Sequence, residues 1–85
     1  MKKVENVIVN CVERALLKYG VKPEFKGAKV GVKRRAVIFN FSCGKLGNFS
    51  VIIDEVRRFP LVYGLPDRIA ADVQREVRQL IEKLL

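Results

Sequence analysis

The sequence of 85 residues contains no histidine and no tryptophan, and it has one methionine and two cysteines. Without histidine, the chain lacks the commonest general base and the commonest metal ligand. No Ser–His or Cys–His nucleophile pair can therefore form within one chain. The cysteines, Cys11 and Cys43, are too few for a cysteine-only zinc site and lack CxxC spacing. We therefore expect no catalytic residues, no metal site and no cofactor, and we predict that the protein is not an enzyme.

Long apolar segments are also missing. The longest runs, such as Val7–Val9 and Val51–Ile53, are far shorter than the roughly 20 residues that span a bilayer. The N-terminal residues Met1–Glu5 include an acid where a signal peptide needs an apolar core. We therefore expect a soluble, cytoplasmic protein with no membrane partner. The scarcity of methionine and the 31% of charged residues are typical of heat-adapted proteins.

Length and composition predict one small globular domain that covers residues 1–85. Apolar residues make up 49% of the chain, which disfavours intrinsic disorder. A chain of this size buries roughly 60–65% of its extended surface, which suffices for one core but not for a dinucleotide-binding fold.

The first segment has helical periodicity. From Lys3 to Tyr19 the apolar residues recur at the three- and four-residue spacing of an amphipathic helix, and Gly20 supplies a stop signal. A second interpretation fits the same residues, namely a short β-branched strand at Val7–Val9 followed by a helix from Cys11. The single helix is the interpretation that we favour.

Residues 24–56 are typical of antiparallel strands. Apolar and smaller residues alternate over Val37–Cys43 and again over Phe49–Ile53, and the glycine-bearing loop Gly44–Asn48 joins the two stretches as a hairpin. An earlier strand is predicted around Ala28–Lys33.

The connection around Lys33–Arg35 has two interpretations, because this stretch contains no Gly, Asn or Pro that would force a turn. It is either a hairpin tip or a bulged part of one long strand. In the second case the partner of that strand is Glu24–Lys26, and Gly27 marks the turn between them.

The last third of the chain predicts a connection and a second helix. Residues 57–65 contain Pro60 and Gly64, which interrupt regular structure, and Tyr63 is expected to be an exposed aromatic residue there. Pro66 suits the first helical position, and apolar residues then recur with helical spacing up to Leu84.

The element order predicts an α+β fold, with a helix, a three-stranded antiparallel sheet and a second helix. We expect both helices to pack on one sheet face.

The side chains predicted to be nearly buried are Phe39, Phe41, Ile53, Val73, Val77 and Leu80. Base stacking by the phenylalanines is less favoured than core packing, because they share the more apolar face. The other face carries Ile38 and Ile52, which we assign as a candidate interface of a homodimer.

Positive charge is concentrated in the middle of the chain. The net charge is +8, of which residues 29–58 carry +5, whereas residues 59–85 sum to zero. The stretch Lys18–Arg35 alone holds seven bases and one acid. A positive patch on a small domain attracts polyanions, because each neutralised phosphate releases counterions. The candidate phosphate-binding residues are Lys26, Lys29, Lys33, Arg34, Arg35, Lys45, Arg57 and Arg58.

The order helix, three strands, helix in a basic chain of this size resembles the double-stranded-RNA-binding domain over nearly the whole chain. In that family a loop between the first two strands contacts RNA, and the basic Lys33–Arg35 falls at the matching place. The family also carries a basic run at the start of its second helix, whereas Pro66–Asp72 contains one base and two acids. The resemblance implies the α+β fold and an RNA-contacting loop, and it does not extend to the second helix.

These observations lead to two hypotheses. The first is a non-enzymatic module that binds RNA or DNA through its phosphate backbone with little sequence preference. Binding should then depend on the basic middle of the chain and hardly on Arg75 and Arg78 of the second helix. The alternative is a protein-interaction module that forms a homodimer through its sheet face or edge.

Overall fold

The described residues, 2–31, 35–54 and 59–84, form two helices and a four-stranded sheet in a computed structural model of the chain. The elements are α1 (Lys2–Leu17), β1 (Glu24–Val30), β2 (Ala36–Cys43), β3 (Gly47–Asp54), β4 (Pro60–Tyr63) and α2 (Asp67–Leu84). The strands are antiparallel and lie in the order β1-β2-β3-β4. The fold is therefore of the α+β class, as predicted, but its sheet has four strands where the sequence predicted three.

The first helix includes the β-branched residues Val7–Val9, so the strand interpretation of this segment is wrong. Ile8, Val12 and Leu16 lie on one helical stripe and are fully buried. Burial of such a stripe outweighs the weak strand preference of β-branched residues, because propensity differences are tenths of a kcal/mol per residue. The helix ends before Gly20, whose φ of 70° is readily adopted only by glycine.

The first strand, β1, runs straight through Gly27 and pairs with β2 over its whole length. Gly27 therefore marks a β-bulge after Phe25 and not a turn, and residues 24–26 belong to β1 itself. The backbone N–H of Gly31 donates to the carbonyl of Ala36 at 2.8 Å, next to the β1–β2 connection. The antiparallel pairing favours the hairpin interpretation, although residues 32–34 lie outside the described part of the chain.

The fourth strand, β4, lies in the segment predicted to be a connection. Its residues pair with β3 from Ile53 opposite Pro60 to Ser50 opposite Tyr63. Pro60 is tolerated because it is the first residue of an edge strand, where a missing backbone N–H disrupts no ladder. The prediction gave weight to Pro60 and Gly64 as interruptions and missed the strand-forming residues between them.

The predicted hairpin of β2 and β3 is confirmed, with a single 3₁₀ turn at Gly44–Leu46 between the strands. Its register places Phe41 opposite Phe49 and Phe39 opposite Val51. These four side chains are buried. They therefore share one face of the sheet, which we call the core face.

One hydrophobic core contains the core face and the buried residues of both helices. Phe25, Phe41 and Phe49 form a row across three strands, and the Phe41 and Phe49 rings stack with centroids 4.9 Å apart. Burial of Phe39, Phe41, Val73 and Val77 is confirmed, whereas Ile53 and Leu80 are only partly buried at the margin of the core. No helix among the described residues is long and apolar enough to cross a membrane.

Candidate nucleic-acid interface

The opposite side of the sheet, which we call the second face, carries residues that are absent from the core. Residues directly opposite each other on antiparallel strands share a face, so the register defines its side chains. One cross-strand row consists of Lys29, Ile38, Ile52 and Leu61. A neighbouring row consists of Gly27, Asn40, Ser50 and Tyr63. The second face therefore has an apolar row beside a polar row that ends in a tyrosine.

The predicted interface pair, Ile38 and Ile52, lies at the centre of the apolar row. The two residues are direct cross-strand partners and are half-buried. Leu61 extends the row on β4 and is exposed. Their position on the second face is as predicted, and the extension to Leu61 follows from the additional strand.

Lys26 and Lys29 lie on β1 and extend the second face at its edge. Lys29 stands opposite Ile38 and is exposed. Lys26 is the extra residue of the bulge, and its Nζ lies 3.2 Å from Oε1 of Glu24. Both side chains of this ion pair are more than half exposed, so the pair is weak and leaves Lys26 accessible to a ligand.

The other described cations of the predicted site lie at opposite ends of the sheet. Arg35 precedes β2, and Lys45 lies in the turn that follows β2. Both are exposed, and the eight-residue strand between them spans roughly 25 Å at about 3.3 Å per residue. The described cations therefore lie along β1 and at the two ends of β2, and they do not form one compact cluster. Four further predicted residues lie outside the described part of the chain, namely Lys33, Arg34, Arg57 and Arg58.

The cations of the two helices have a different environment. Nζ of Lys18 lies 3.1 Å from Oδ2 of Asp72, and Nη2 of Arg75 lies 3.0 Å from its Oδ1. The hydroxyl of Tyr19 also donates a hydrogen bond to Asp72. On α2, Arg78 and Glu82 form a further ion pair. The structure thus joins Lys18, which the sequence placed in the basic stretch, to the acidic side of α2.

The hydrogen bond between Tyr19 and Asp72 shifts the pKa values of both residues. The hydrogen bond from Tyr19 is the main reason that the pKa of Asp72 lies below its ordinary value, and Lys18 lowers this pKa further. The same hydrogen bond raises the pKa of Tyr19. Asp72 is therefore a charged partner that links the end of α1 to α2.

Three described cations of the predicted site have no such partner. Within the described ranges, Lys29, Arg35 and Lys45 form no ion pair. A cation whose charge is not compensated by a nearby carboxylate attracts a phosphate more strongly than a paired one. Lys29, Arg35 and Lys45 are therefore available to an anionic ligand, as are the exposed Arg68 and Lys83 of α2, which also form no ion pair within the described ranges.

The two cysteines lie in the hydrophobic core. Both Cys11 and Cys43 are buried and unpaired. Burial is the main cause that raises the pKa of each thiol. The structure thus gives both cysteines the environment of small apolar side chains.

Sequence reasoning missed that Tyr63 belongs to this surface. Tyr63 was expected to be an exposed aromatic residue of a connection, and 57% of it is indeed exposed. Its place on β4, in one row with Ser50 and Asn40, depends on strand pairing. The signal available in the sequence was the strand-forming run Leu61–Tyr63, which follows a proline.

Comparison with known proteins identifies no relative of this chain. No protein-family model matches the chain, and neither a curated protein nor a solved structure shows significant similarity to it. The assignment of function therefore rests on the positions and charges of the residues described above.

Proposed function

We propose that the protein is a non-enzymatic nucleic-acid-binding module that grips the phosphate backbone with the cations around its second face. The observation that carries this proposal is that Lys29, Arg35 and Lys45 are exposed, form no ion pair within the described ranges and lie in the segment of residues 29–58 that carries the excess positive charge. Charged groups held without a carboxylate partner are available to phosphates at little cost. Contacts of this kind carry no sequence information, so we expect little sequence preference.

The charge distribution along the chain supports the same assignment. Residues 29–58 carry a net charge of +5, and this segment contains the end of β1 and the whole of β2 and β3. Residues 59–85 have no net charge, and they supply β4 and α2. Nucleic acid should therefore approach the sheet side, where long-range attraction and short-range contacts act together.

We further infer that both helices cover the core face and leave the second face for the ligand. The shared core supports this arrangement, because it contains Ile8 and Val12 of α1, Val77 of α2 and Phe41 of the core face. Ile38 and Ile52 of the second face are not part of it. A sheet with one solvated face is common when the strands are antiparallel.

The test compares two triple variants with equal net charge. Replacement of Lys29, Arg35 and Lys45 by Gln removes three positive charges from the sheet side. Replacement of Arg68, Arg78 and Lys83 by Gln removes three from α2 and serves as the matched control. Binding to fluorescent RNA and DNA probes should be measured by anisotropy between about 50 and 200 mM salt.

We expect the sheet-side variant to bind much more weakly than the control variant. Its log–log salt dependence should become shallower by about 0.7–0.9 for each phosphate contact that is lost. Equal weakening of both variants would show that the phosphate site is elsewhere. Failure of the wild-type protein to bind any probe at low salt would overturn the proposal.

A homodimer is the second candidate function, because Ile38, Ile52 and Leu61 form an apolar row on the second face. Light scattering should then give twice the chain mass of 9.7 kDa. Replacement of Ile38 and Ile52 by Ser should convert the dimer into a folded monomer. A monomeric wild-type protein at all micromolar concentrations would exclude this candidate.

A further inference from the structure

A groove of about 440 Å³ touches Phe41, Phe49 and Gly64, and its polar lining consists of Lys26, Asn40, Asn48, Ser50 and Tyr63. These residues come from all four strands, so the groove crosses the sheet from β1 to β4. Gly27 lies in the same cross-strand row as Asn40 and contributes no side chain. The β1 position opposite Asn40 therefore carries no side chain.

Tyr63 supplies an aromatic surface at one end of the groove. The residue is 57% exposed and belongs to an edge strand whose neighbour, β3, holds it in register with Ser50. The other tyrosine, Tyr19, donates its hydroxyl to Asp72 on the helix side. Tyr63 thus combines exposure with a fixed position beside polar groups.

The polar row offers donors and acceptors in a fixed arrangement. Ser50 donates a hydrogen bond of 2.8 Å from its Oγ to Oδ1 of Asn40, which orients the Asn40 amide. The Nδ2 group of Asn40 and the lone pairs of Ser50 Oγ keep their capacity for a ligand. Asn48 adds a second amide at the end of β3 next to the turn.

We propose that this groove binds one unpaired nucleobase of a single-stranded nucleic acid. The base stacks on the Tyr63 ring, its edge meets Asn40 and Ser50, and an adjacent phosphate meets Lys26. Stacking on an exposed aromatic side chain requires a base that is free of its own stack, which single strands provide and duplexes do not. This inference rests on the proposed function and adds two details to it. The ligand is single-stranded, and Tyr63 is the residue that distinguishes a single strand from a duplex.

The experiment replaces Tyr63 by Leu and, as the matched control, by Phe. The probes are a single-stranded oligothymidylate of about 12 nucleotides, which is within the site size of small sheet-based binders, and a duplex of equal length. We expect Tyr63→Leu to weaken single-strand binding about 5- to 150-fold, the range that corresponds to loss of one stacked base. Tyr63→Phe keeps the aromatic ring and should bind nearly as well as the wild type. Duplex binding should change little in either variant.

A second measurement uses the absence of tryptophan from the chain. In Tyr19→Phe protein, Tyr63 is the sole tyrosine, so its fluorescence reports on the groove directly. Stacking of a thymine on the ring should quench this emission in proportion to the bound fraction. The duplex probe should leave the emission largely unchanged.

The outcomes separate this inference from the proposed function. If the wild type binds both probes but Tyr63→Leu binds oligothymidylate equally well and the emission is not quenched, the base site is wrong and backbone binding stands. If the wild type binds the duplex more tightly than the single strand, the ligand class is wrong. If it binds neither probe at low salt, both proposals are overturned.

Discussion

The two faces of the sheet are built by the same strands, but their side chains have opposite environments. On the core face, Phe41 is 2% exposed and stacks on Phe49. On the second face, the intervening positions hold Asn40 and Ser50, which bond to each other, and Tyr63, which is mostly exposed. Alternation along a strand therefore separates the residues that stabilise the fold from those available to a partner.

A second contrast concerns charge. Lys18 and Arg75 each form an ion pair with Asp72, whereas Lys29 and Lys45 form no ion pair with another described residue. Lys18 thereby links the end of α1 to α2, whereas no described carboxylate compensates the charges of Lys29 and Lys45.

The largest expected effect comes from the core face. Replacement of Phe41 by Ala should lower the free energy of unfolding by about 3–5 kcal/mol, because it leaves a cavity and removes a stacked ring. Replacement of Ile52 by Ala on the second face should lower it by about 1 kcal/mol, since a half-buried side chain loses only part of its transfer energy. Urea denaturation measures both values. A loss at Ile52 as large as that at Phe41 would show that the second face is also buried, as in a homodimer.

A smaller effect is expected where β4 meets α2. Gly64 has a φ of 100°, and a Cβ at this position would lie 2.5 Å from the Asn48 carbonyl oxygen and 3.0 Å from Phe49 Cα. Replacement of Gly64 by Ala should therefore destabilise the protein by about 1–3 kcal/mol through backbone strain, with the close contact adding to it.

Gly20 provides the matched control for this variant, because its φ of 70° is also positive but its Cβ would meet no atom within 4 Å. The difference in Tm between the Gly64→Ala and Gly20→Ala proteins measures the cost of the close approach between Gly64 and the backbone of Asn48 and Phe49. Equal destabilisation would mean that β4 yields to the extra methyl group. The groove beside Tyr63 would then be easily deformed, and the difference between the two sheet faces would be less sharp.

The smallest effect concerns the helix side and depends on pH. Because the pKa of Asp72 is lowered, its contribution to stability is present above the ordinary value of 3.8 and is lost as the pH falls through the lowered pKa. Because the pKa of Tyr19 is raised, its contribution is present below the ordinary value of 10.0 and is lost as the pH rises through the raised pKa.

Replacement of Asp72 by Asn should therefore lower the Tm near neutral pH and flatten its dependence on pH at both extremes. Glu82→Gln, which breaks the exposed pair with Arg78, is the control and should change the Tm by much less. Scanning calorimetry over acidic to alkaline pH measures both. A control variant with the same pH profile as Asp72→Asn would show that the Tyr19–Asp72 contact has no special role.

Predictions succeeded where local pattern and tertiary environment agree. Both amphipathic helices and the hairpin of β2 and β3 follow from the spacing of apolar residues, and Phe39 and Phe41 were correctly assigned to the core. The fourth strand was missed because Pro60 and Gly64 are local signals for a loop, whereas β4 is stabilised by pairing with β3. Such pairing is a non-local interaction that short windows of sequence do not report.

Periodicity and composition are local properties, so the amino-acid order alone predicts the α+β class, the two helices, the core phenylalanines and the excess of positive charge in residues 29–58. Which cations stay unpaired depends on how the elements pack. Lys18 meets Asp72 across 54 residues of sequence, and Tyr63 meets Ser50 through strand register. These contacts depend on how the helices and strands pack, and packing is selected by burial of the whole core rather than by any one segment.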